Sequence, residues 1–201
     1  DLNETMFTSP FMVFGALNLN AVNFEAELAK AKRKVTQGME GFLTQPVHSR
    51  QALFNLKRAR KELQAYILGG VLPIVSHRNA VYMNNEISGI EVDEEIVAMY
   101  EGTTRKEAQK LAVDISCKTM DEMRPYIDGY YLITPFNRVE IIADMITYIH
   151  KQYPFCTEAG QGIQISEIMV YTKEKQEVTM KQKTFLMLKP DAFAGGHAQE
   201  V

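Results

Sequence analysis

The feature that most constrains this chain is a fourfold alternation of short apolar runs with amphipathic helical stretches. The runs are 11–17 (FMVFGAL), 41–45 (GFLTQ), 66–75 (YILGGVLPIV) and 129–133 (GYYLI). They are continuously apolar rather than alternating. Strands of that kind are buried on both faces, as parallel strands covered by helices are. The intervening segments change period. Phe24, Leu28, Ala31 and Val35 recur at helical spacing, so 23–37 reads as a helix capped by Asn23 and ended by Gly38. Ser49 caps a second helix that turns Ala52, Leu53, Leu56, Ala59 and Leu63 inward. A short helix is expected over 78–85, and another opens at the acidic Asp93, Glu94 and Glu95 and runs to Tyr100. A long one spans 104–123, with Ala108, Leu111, Ala112 and Ile115 on one face. The last covers 139–149 and is expected to bury Val139, Ile142, Ala143 and Ile146.

Strand then helix, four times over, defines an α/β protein with a parallel sheet. A complete barrel of eight such units needs about 250 residues, so the expectation is a partial TIM (β/α)8 barrel of about four units with an irregular C-terminal tail. A small doubly wound open sheet is the alternative fold. No Gly-x-Gly-x-x-Gly or Walker-type loop occurs, which weighs against a nucleotide-binding fold of that type. The domain expectation is a half barrel over 1–150, an irregular spacer over 151–179 and a separate fragment over 180–201. Asp1 is not a start methionine, so the chain reads as a piece of something longer.

Charge and cysteine content exclude several partners. A net charge of -3 gives no reason to expect nucleic acid. No apolar run approaches the ~18 residues of a membrane span. Cys117 and Cys156 form no Cys-x-x-Cys pair and read as free thiols in a reducing cytoplasm.

Each apolar run ends in polar side chains: Asn18 and Asn20, then Thr44 and Gln45, then Ser76, His77, Arg78 and Asn79, then Thr134, Asn137 and Arg138. In a parallel barrel such ends meet on one face, where active sites lie. Amides, hydroxyls and guanidiniums suit a polar heterocycle and a carboxylate better than a metal, which wants His, Cys or carboxylate clusters.

The strings GFLTQPV, GGVLPIVSHRNAVYMNNEISGI and YYLITPFNRVE resemble the later strands of methylenetetrahydrofolate reductase, in particular the bacterial forms fused to a homocysteine methyltransferase. The resemblance covers about 11–149. It implies FAD bound in a barrel, reduction of the flavin by NADH or NADPH, and hydride transfer to methylenetetrahydrofolate in one-carbon and methionine metabolism. It assigns Gln45, Asn79 and Arg138 to the folate substrate, and Asn18, Glu27, Lys30 and Lys34 to the cofactor. Glu27, Lys30 and Lys34 share one helix face, which is consistent with that role. Met83 is expected to be core, and His48 and His77 to be loop histidines without a catalytic role. The family's proton-donating glutamate and flavin-tuning aspartate would precede Asp1, so no catalytic residue is expected here and the piece alone is expected to be inactive. A homo-oligomer or a fused homocysteine methyltransferase domain is the implied partner. The alternatives are a truncated non-catalytic fragment and a different ligand-binding α/β barrel enzyme.

After 149 the periodicity breaks. The string MKQKTFLMLKPDAFAGG from Met180 is similar to the opening of a nucleoside diphosphate kinase, which would make Lys189 a phosphate ligand. The strand-prone stretch 184–188 is not expected to extend the reductase-like sheet.

Overall fold

A computed structural model describes residues 12–152 and three short strands in the tail. Four βα units follow one another. Strand β1 is Phe14–Leu17, β2 Gly41–Pro46, β3 Tyr66–Val71 and β4 Gly129–Leu132. Helix α1 is Phe24–Thr36, α2 Arg50–Glu62, α3 His77–Glu86, α4 Glu94–Met99, α5 Arg105–Met123 and α6 Val139–Gln152. The strands pair in parallel in the order β1-β2-β3-β4. That order has no reversal, whereas a doubly wound sheet of the alternative kind turns back at a switch point. The result is an α/β protein with a parallel sheet.

Local chemistry sets the element ends. Asn23 accepts a hydrogen bond from the Ala26 N–H at 3.0 Å, and Ser49 accepts one from Ala52 at 3.1 Å. Gly38 leaves α1 in the left-handed region, at φ +96°. Thr104 and Glu107 form a reciprocal capping box at the start of α5. Asp93 stands at the N-cap position of α4, with Glu94 and Glu95 in the first turn as expected. Its carboxylate makes no cap bond there and accepts from the N–H of Arg50, the first residue of α2.

Alternate strand residues face opposite layers. Leu17, Phe42, Ile67 and Leu132 pack with α1, α2, α5 and α6. Tyr131, Leu72, Ile74 and Ile133 face the other side, with Ala80, Met83, Ile90 and Tyr100 from the segments after β3. Met83 is core.

Four expectations need correction. The third strand stops at Val71 rather than 75, because Pro73 has no N–H for a ladder. In α6 the buried stripe is Ile141, Ile142, Met145 and Ile146. Val139, the first helical residue, is 43% exposed, and Ala143 falls on the outer face. The segment expected to be an irregular spacer contains β5, Ile168–Val170, and part of β6, Val178–Met180, paired antiparallel. The stretch expected to stay off the sheet places β7, Phe185–Leu186, parallel to β4. An unpaired strand edge offers N–H and C=O groups that an extended segment can satisfy. Phe11, Cys156 and Lys189 lie outside the described residues. Among the described residues no helix is long and apolar enough to cross a membrane.

Candidate functional site

Parallel pairing lines up the strand ends along one edge. Leu17 sits beside Thr44, Pro46 beside Gly70, and Val71 beside Leu132. Asn18 directly follows β1, Gln45 is the last residue but one of β2, and Asn79 and Arg138 fall in the segments after β3 and β4.

The ladder between β2 and β3 is irregular between Leu43 and Pro46. There the Thr44 hydroxyl accepts the Gly70 N–H at 2.8 Å. A Cβ on Gly70 would lie 2.7 Å from the Thr44 carbonyl oxygen, so only glycine permits this approach. Irregularities of this kind re-aim neighbouring side chains. Gln45 lines a cavity of about 310 Å³ on the inner face, opposite the helix layer, with Ala16, Leu43, Leu72, Tyr131 and Ile133.

The outer wall of that cavity comes from 87–93, a strap between α3 and α4. Ile87 and Ile90 line the cavity. The strap passes the end of β1, where the Asn20 amide donates to the Gly89 carbonyl at 3.1 Å, and reaches the end of β2, where Val92 bridges His48. Asn84 closes it by accepting from Val92 N–H at 2.7 Å and donating to Val92 O at 3.1 Å. The Tyr100 hydroxyl donates to the Ile74 carbonyl at 2.8 Å, and burial pushes its pKa up.

Arg138 follows a strained turn. Phe136 and Asn137 both adopt positive φ, 47° and 59°, which is unfavourable for non-glycine residues. The turn leaves Phe136 74% exposed. It places Arg138 Nη1 in a buried position with no hydrogen-bond partner. Asn79 is otherwise engaged: its side-chain oxygen accepts from the Val75 N–H at 3.1 Å and so closes the turn into α3.

The four residues assigned to a cofactor lie along β1. Glu27 accepts from the Asn18 N–H at 3.1 Å and stands 4.0 Å from Lys30. Lys34 Nζ lies 3.5 Å from the Ala16 carbonyl oxygen and 6.0 Å from the Phe42 ring centre. The side chain of Asn18 faces the strap, its oxygen accepting from the Asn20 N–H at 3.0 Å.

Sequence reasoning gave Tyr131 no role, read His48 as a loop histidine and named Asn20 only among the polar strand ends. Tyr131 lines the cavity and burial raises its pKa, whereas Tyr130 donates to Met120 O from the helix side. Strand alternation over the Tyr-Tyr pair was the available signal. His48 is fully buried, and burial lowers its pKa to about 4 against the partial opposition of a hydrogen bond to the Leu72 backbone. Its Nε2 has no partner, so that bond belongs to the other ring nitrogen. His77 is half exposed, 3.9 Å from Glu101.

Fold and site together define a parallel α/β protein with a mixed polar and apolar cavity at its strand ends. No family model and no curated protein matches the chain. Among solved structures it is similar to an uncharacterized protein from Clostridium thermocellum that binds two copies of 5-methyl-5,6,7,8-tetrahydrofolic acid. The TM-score is 0.48 at 16% identity, over 72% of this chain and 55% of that one. The chain thus spans about half of that protein's length. A likeness of this degree does not carry function from one chain to the other.

Proposed function

We propose that this chain carries the C-terminal half of a methylenetetrahydrofolate reductase barrel and supplies the folate end of its site. The observation that carries the reading is the buried Arg138 Nη1, which lacks an acceptor in a segment after β4, a strand that gives Tyr131 to the Gln45-lined cavity. A desolvated guanidinium N–H without a partner costs free energy until an anion meets it. A carboxylate suits it by charge and by planar geometry. Gln45 offers both donors and an acceptor to a heterocycle edge, and Leu43, Leu72 and Tyr131 supply apolar surface for its faces. A folate combines a polar heterocycle with a carboxylate tail. The uninterrupted strand order supports a barrel segment over a doubly wound sheet.

The donor set along β1 fits a cofactor diphosphate. Lys30 is 57% exposed, and Lys34 reaches the β1 backbone, so both ammonium groups can approach an anion from α1. Glu27 acts on the Asn18 backbone and orients that strand end. FAD, reduced by NADH or NADPH, would supply the hydride chemistry when bound. Gln45 and Arg138 bind and orient the folate, and Ile87 and Ile90 exclude water from its ring.

A second reading, a fragment without catalysis of its own, is favoured by β1, which has no neighbour on its outer edge among the described residues. Titration of the full chain with 5-methyltetrahydrofolate by calorimetry, alongside Arg138→Ala, tests the folate site. Binding that weakens at least tenfold in the variant supports it, and no binding by the wild-type chain overturns it. Flavin absorbance of the purified chain separates the two readings: no retained FAD favours the fragment.

A further inference from the structure

We infer that Asn20 is a positioning residue that fixes one wall of the strand-end cavity by tying the apex of the strap to the ends of β1 and β2. The inference rests on the reading above that this cavity is a ligand site. Asn20 is a three-way junction. Its Nδ2 donates to Gly89 O at 3.1 Å, its Oδ1 accepts from Ser49 Oγ at 3.2 Å, and its backbone N–H donates to Asn18 Oδ1 at 3.0 Å. Ser49 also caps α2, so the junction is anchored on a rigid helix end. Gly89 is the point of closest approach. It adopts φ +84°, and a Cβ there would lie 3.0 Å from Asn18 Nδ2, so the strap backbone rests against Asn18.

The geometry makes Asn20 matter for the cavity rather than for the sheet. Gly89 lies between Ile87 and Ile90, the two strap residues that line the cavity facing Ala16, Leu43 and Gln45. Of the other ties, Ile87 N–H to Met83 O and Ile90 N–H to Ile87 O are local to the start of the strap, whereas Asn84 to Val92 and Asp93 N–H to His48 O hold its far end. At the apex the side chains of Ser88 and Glu91 are exposed, and packing there comes from Ile87 and Ile90. The Asn20 amide thus supplies the side-chain hydrogen bond that links the apex to the end of β1, and so helps set how closely Ile87 and Ile90 approach Gln45.

Asn20→Asp tests this role, because it keeps an oxygen for Ser49 and turns the donor to Gly89 into a carboxylate oxygen that repels the Gly89 carbonyl. In the full chain we expect amide exchange over 87–92 to quicken by at least about five- to tenfold, since one hydrogen bond is lost and a repulsion added. Exchange in β2 and β3 should stay as in the wild type. Gly89→Ala should loosen the same segment by a different route, and it replaces Asn20→Asp if that variant does not fold. Strap exchange unchanged in both variants would overturn the inference, as would acceleration spread equally over the sheet. The affinity of the same samples for 5-methyltetrahydrofolate is read separately. If the wild-type chain fails to bind while the strap responds, the folate reading fails and the positioning role stands.

Discussion

His48 should make the fold acid-sensitive in a window set by its own burial. It sits after β2 with Nε2 unpartnered, and burial lowers its pKa from 6.5 to about 4. Folding therefore favours the neutral imidazole. Between those two values the unfolded chain binds a proton that the folded chain refuses. The stabilisation is complete above pH 6.5, declines as pH falls towards 4, and declines no further once both states are protonated. A difference of about 2.5 pKa units corresponds to about 3 kcal/mol, of which about 2 kcal/mol should be lost by pH 4.5. That is a large part of the stability of an ordinary domain. Other groups titrate nearby. Glu62 beside Lys32, Glu95 beside Arg50 and Glu107 beside Thr104 are held below the usual carboxylate value, and their stabilising effect is also lost as pH falls. They are exposed and common to wild type and variant, so comparison with His48→Gln removes them. Urea unfolding at pH 7 and pH 4.5 supplies both free energies. The wild type should lose about 2 kcal/mol more than the variant over that interval. Equal losses would refute the reasoning, as would a His48 ring resonance titrating near pH 6.5 in the folded protein.

Other outcomes follow from single contacts. Gly70→Ala should destabilise by about 1–3 kcal/mol, measured by thermal unfolding, because its Cβ would press on the Thr44 carbonyl oxygen at 2.7 Å. Thr104→Ala should cost about 1 kcal/mol through loss of the α5 capping box, read from the urea midpoint. Burial raises the Cys117 thiol to about 11, so iodoacetamide at pH 8 should label it only after denaturation. On the proposed reductase reading, Gln45→Ala in a full-length parent should lower folate turnover with flavin content preserved, and Lys34→Ala should lower flavin content first. Parallel loss of flavin in both would defeat those role assignments.

What could be read from the residues was local. Helix ends at Asn23 and Ser49 follow from side chains that satisfy backbone N–H groups three residues on. The parallel sheet follows from apolar runs with no polar face, and the polar strand ends from their place after each run. The errors were also local in origin. Val139 matched the apolar period of α6, yet it is the first residue of that helix and stays exposed, and period alone does not locate where packing begins. What the chain alone could not show depends on residues far apart in sequence. Asn20 meets Gly89 across 69 positions, and Thr44 meets Gly70 across 26. The Asp93 carboxylate serves α2 rather than its own helix only because the strap returns to the end of β2. Burial of the His48 ring and of Arg138 Nη1 is of the same kind. Both look like ordinary loop residues from the sequence alone. Propensity and periodicity act over a few residues, whereas desolvation is set by whatever the completed fold brings within a few ångströms.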